Sequence, residues 1–72
     1  MAAIYRPWLE RYLEARRHAV AGRGVIKRQR EFIAREKAKG LSTDRSEDLL
    51  ALFQQTQVIF EGDLARISAE RG

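Results

Sequence analysis

"AGRGVIKRQRE", residues 21–31, lies in the middle of the longest helical pattern in the chain and sets two glycines, Gly22 and Gly24, ahead of a dense basic run. If the glycines break the helix, the chain makes three helices; if they do not, it makes two. Each glycine costs about 1 kcal/mol relative to alanine inside a helix, so a close neighbour, a kink or a break has to account for it. The pattern on either side argues for continuity. Trp8, Tyr12, Ala15, Ala19, Gly22, Ile26, Gln29 and Ile33 follow at alternating steps of four and three, which holds them on one face of a single helix. Leu9, Leu13, Val20, Val25 and Phe32 flank that seam. With Ala15 and Ala19, Gly22 makes a narrow strip where another backbone can approach closely.

Working outward, Pro7 suits the first turn of this helix, where its missing N–H costs nothing. Gly40 offers a left-handed cap at the other end, with Lys37 and Lys39 in the last turn where the helix dipole favours cations. In "LSTD", residues 41–44, Thr43 or Asp44 can cap a second helix, Glu47 completing a box from Asp44. The second helix has its own seam in Leu49, Phe53, Thr56, Phe60, Asp63 and Ile67, flanked by Leu50, Leu52, Ile59 and Leu64. The fold expected is all-α, one helical domain over 1–72: an antiparallel two-helix hairpin of helices 7–39 and 44–68, a kink at 22–24 left open. The second helix carries apolar residues over a wider arc than one partner covers, so two hairpins are expected to pair as a homodimer in a four-helix bundle. A three-helix bundle, from a break at the glycines, is the alternative. Tyr12, Ile26, Ile33, Leu49, Phe53, Phe60, Leu64 and Ile67 are the expected core and interface residues.

The charge is unevenly placed. Fourteen Lys and Arg against ten acids give +4, but the first forty residues hold eleven of those cations and only four of the acids. Such a split fits an anionic partner, or two helices with complementary fields lying against each other. Arg16, Arg23, Arg30 and Lys37 recur every seven residues along the edge of the seam, where coiled coils place charges that pair with a neighbouring helix. Glu47, Glu61 and Glu70 are their candidate partners. Arg16, Arg23, Lys27, Arg28, Arg30 and Arg35 are also candidate anion-binding residues for non-specific nucleic-acid contacts, although Glu31 and Glu36 interrupt the face. No helix-turn-helix spacing, zinc-finger ligands or RNA-binding strand motif accompanies them. A third reading places Tyr5, Trp8 and Tyr12 with their arginines at a membrane surface, which Glu10 and Glu14 oppose.

Reactive chemistry is missing from the pattern. There is no cysteine for a disulfide or a thiolate metal site. No stretch approaches the roughly 18 apolar residues of a membrane span, and Arg6, Glu10 and Arg11 fall where a signal peptide needs its apolar core; the expectation is a cytoplasmic protein. His18 is the one histidine, read as a solvated side chain, and Asp63 on the second seam requires a cation from the first helix or from a second subunit. Without a phosphate-cradling loop, metal-ligand spacing or a nucleophile beside a base, neither an enzyme nor a cofactor or metal is expected. The function expected is protein–protein interaction or oligomerisation, as a homodimer or as an adaptor or regulator of a larger protein, with nucleic-acid binding second.

His18, Gly22, Ile26, Arg28, Gln29, Arg30 and Ile33, then Gly40 and Thr43, then Leu49, Leu50, Phe53, Thr56, Gln57 and Asp63 resemble the pattern of a group of short uncharacterised proteins of alphaproteobacteria, rhizobial ones especially. The likeness covers most of residues 18–67. Phe60 stands where those proteins often have histidine, and "GLST" replaces their more usual "GHDT", so no histidine-based role carries over. The resemblance implies a helical hairpin and a bacterial source, and it implies no activity.

Overall fold

A computed structural model describes the backbone over residues 2–71 and the side chains from Pro7 to Glu70. The described residues form two α-helices and no strand: α1 spans Ala2–Ala38 and α2 spans Asp44–Arg71. They lie antiparallel in a rod of 60 × 15 × 15 Å. The helix α1 passes through Gly22 and Gly24 unbroken, which removes the three-helix alternative. Its backbone there is ordinary; among the described residues the glycine with positive φ is Gly40, at 75°. What Gly22 supplies is space, since a Cβ on it would overlap Oε1 of Gln57 on α2. The boundaries differ from the expected ones at the ends. Pro7 does not begin α1 but sits inside it, where it forfeits a single backbone bond near the start and its fixed φ suits the helix.

The reversal is built by Gly40. Leu41 N donates to Glu36 O at 3.0 Å and Gly40 N to Lys37 O at 3.0 Å, the paired bonds that close a helix over a left-handed residue. Thr43 follows, buried, and its carbonyl accepts the first bond of α2 from Glu47 N at 2.8 Å. Its hydroxyl donates to the Glu47 carboxylate at 3.0 Å, so Thr43 rather than Asp44 takes the cap position.

The seam of α1 is the one the spacing predicts: Ala15, Ala19 and Ile33 are buried, and Trp8, Tyr12, Gly22, Ile26 and Gln29 half-buried. The seam of α2 is not. It runs through Ser46, Leu50, Phe53, Gln57, Phe60, Leu64 and Ile67, sharing Phe53, Phe60 and Ile67 with the expected row but exchanging Leu49, Thr56 and Asp63 for their neighbours. Leu49 stays 42% exposed, and Thr56 is exposed with its hydroxyl turned back to Leu52 O at 3.1 Å. The rotation puts Gln57, 9% exposed, into the notch at Gly22.

Polar side chains stitch the seam along its length. Trp8 Nε1 donates to Ile67 O at 2.8 Å, Gln57 Nε2 to Ala19 O at 2.9 Å, and Gln29 Nε2 to Ser46 O at 2.9 Å. Among the described residues no buried side-chain polar atom is left without a partner. The core itself is thin, because two helices alone cover each other along one stripe: among the described residues no large side chain is fully buried.

Candidate functional site

The seam has two flanks, and they differ in chemistry. On one, Arg23 grips Glu61 with both arms of its guanidinium, Nε to Oε2 at 2.7 Å and Nη2 to Oε1 at 2.6 Å. Gln57 Nε2, already bonded to Ala19 O, also reaches Glu61 Oε2 at 2.6 Å. Held first by Arg23 and then by Gln57, the Glu61 carboxyl is lowered to about 2, and the Arg23 guanidinium is raised in return. Nearer the turn, Lys37 Nζ lies 3.2 Å from Glu47 Oε1, and the Thr43 hydroxyl together with Lys37 holds Glu47 below its ordinary carboxylate range. Glu70 pairs with Arg11 at 2.7 Å on the opposite flank, not with the seven-residue row.

All three expected glutamates therefore bind α1, but they use only Arg11, Arg23 and Lys37. Arg16, Arg17, Lys27, Arg28, Arg30 and Arg35 are exposed and make no ion pair or side-chain hydrogen bond. Asp63 takes its cation from its own helix, Arg66 at 2.8 Å, where an arginine of the first helix or of a second subunit is the sequence's expectation.

The other flank is apolar over its turn-proximal half. Phe32 is 40% exposed and Leu49 42%, while Leu52 at 56% and Ile59 at 63% stand further out on α2. Between the helices here is a shallow hollow lined by Gly22, Val25, Phe53, Thr56, Gln57 and Phe60. Beyond it the surface turns polar: the His18 ring tilts over Phe60 at 5.2 Å, followed by Arg11, Glu14, Asp63 and Arg66. Of the expected core and interface residues, Tyr12, Ile26, Ile33, Phe53, Phe60, Leu64 and Ile67 sit in the seam, and Leu49 on this apolar flank.

The aromatic residues at the start of α1 face inward. Trp8 and Tyr12 stack on each other with ring centroids 5.2 Å apart, and the Trp8 N–H is bonded to Ile67 O. The Tyr5 side chain lies outside the described residues. Among the described residues no helix is long and apolar enough to cross a membrane, and no group of three or more His, Cys, Asp or Glu side chains could hold a metal ion. Trp8 and Gln29 lie on the seam that the spacing predicts, whereas Gln57 is the polar seam residue that apolar periodicity passes over; a glycine on the facing seam is the mark that it leaves. Compared with known proteins, the chain matches no family model, no curated protein and no solved structure.

Proposed function

We propose that the hairpin is a protein–protein interaction module that self-associates through its apolar flank, two copies forming a four-helix bundle. The observation that carries this reading is the flank itself: four large apolar side chains, Phe32, Leu49, Leu52 and Ile59, exposed in one region beside a hollow. The area supports a second copy as the occupant. The chain exposes 5728 Å², whereas a compact protein of its mass exposes about 4,600 Å². The excess, roughly 1,100 Å², is comparable to the about 800 Å² that each partner of a stable interface buries. The charges support it too. A two-fold axis crossing α1 near Val25 brings Arg35 of one copy to Glu14 of the other, and both are unpaired in the single hairpin.

Light scattering on the eluting protein tests the reading. A mass twice the 8.3 kDa of the chain is expected at micromolar concentration, and the double variant Leu52→Glu/Ile59→Glu is expected to elute as a helical monomer. A wild-type chain that stays monomeric at every concentration refutes it.

A further inference from the structure

The ion pairs commit Arg11, Arg23 and Lys37 of α1 to α2, and of the described cations left facing water four share one side of the helix. Arg16 and Arg30 lie on the flank away from the apolar hollow, Lys27 next to them toward the outside, and Arg17 on the outer crest of the helix. Fourteen residues separate Arg16 from Arg30, a run of about 21 Å along a straight helix. No acid occurs between Glu14 and Glu31. The carboxylates that α2 brings to this flank, Glu61 and Glu47, are occupied by Arg23 and Lys37. Five free cations fall in this span; four of them, all but Arg28, share one side of the helix, and the nearest acids of α1, Glu14 and Glu31, stand at its two ends.

We propose that this surface of α1, with Arg16, Arg17, Lys27 and Arg30, docks duplex nucleic acid through its phosphates. A duplex presents about twelve phosphates over 21 Å of its axis, more than enough to meet four fixed cations, and three of the four are guanidiniums suited to two-point phosphate contact. Single strands are bound by stacking bases on exposed aromatic rings, and this surface has none: Trp8 and Tyr12 are stacked in the seam, and Phe32 is on the other flank. A membrane surface draws on interfacial aromatics as well as cations, and among the described residues Trp8 and Tyr12 are stacked inward instead. The docking surface is complete in one hairpin, so it does not rest on self-association.

Fluorescence anisotropy with a labelled DNA duplex of about 20 base pairs decides the matter. Four phosphate contacts give a salt slope of about −3.6, so affinity is expected to fall about 100-fold between about 50 and 200 mM salt. The double variant Arg16→Ala/Arg30→Ala is expected to reduce that slope by about two, with binding weakened at low salt. Arg28→Ala/Arg45→Ala removes the same charge from outside this surface and is expected to leave the slope unchanged. All four residues are exposed and unpaired, and circular dichroism checks that each variant keeps its helices. Absence of salt-sensitive binding near 50 mM overturns the proposal, as do equal losses in the two double variants or tighter binding to phosphatidylserine vesicles than to the duplex. The monomeric Leu52→Glu/Ile59→Glu variant must still bind the duplex, which separates this test from that of self-association.

Discussion

Gly22 and Gln57 form one feature made by two residues. The glycine removes a side chain at the point where the helices meet, and the glutamine fills the space with an amide that bonds Ala19 O and Glu61. Adding a methyl group at Gly22 must push that amide out, breaking a buried hydrogen bond, which costs more than alanine's better helix propensity returns. Gly22→Ala is expected to destabilise the hairpin by about 1–2 kcal/mol. At Gly24 a Cβ meets only the guanidinium of Arg28, 3.3 Å away at the end of a flexible, exposed chain. Gly24→Ala is therefore expected to stabilise by about 0.5–1 kcal/mol. Urea denaturation of the two variants at one protein concentration checks both signs, and equal effects would show that the notch has no special status.

At the scale of the elements, α1 was legible from its spacing because its seam is written in residues that either pack or make room. The helix α2 was harder to read, since its apolar residues fill two stripes that share Phe53, Phe60 and Ile67. Hydrophobic periodicity favours the stripe through Leu49, whereas the fold uses the one through Gln57, because a buried amide with its bonds satisfied fits the glycine notch better than a threonine one residue earlier. The flanking charges were legible as far as which glutamates pair and not as far as which cations they choose: Glu70 lies on the flank of Arg11. These pairs make the hairpin sensitive to acid. Glu61 is lowered to about 2 and Glu47 below its ordinary 4.5, so both contributions are complete above that ordinary value and are lost as pH falls below it, that of Glu61 as pH approaches 2. The thermal midpoint is expected to hold from pH 7 to about 6 and to decline below about 5, with a shallower decline in Glu61→Gln; an unchanged acid profile in that variant would exclude Glu61 as the source.

The whole molecule is long for its mass. Its radius of gyration is 16.8 Å, against about 11 Å for a compact domain of 72 residues. If two such rods pair as proposed, the unfolding midpoint is expected to rise with protein concentration; calorimetry over a hundredfold concentration range gives a flat midpoint if single hairpins unfold independently. The three stitches across the seam also have a direction. They join residues 17, 38 and 59 positions apart in sequence as one moves from the turn to the open end. The loop that must be closed for each is therefore already shortened by the one before it, and the hairpin can zip from Gly40 outward without a long search. Tension between the ends runs the same sequence backwards: it peels Trp8 from Ile67 first, meets the Gln57 notch at mid-length, and reaches the Gln29 stitch last.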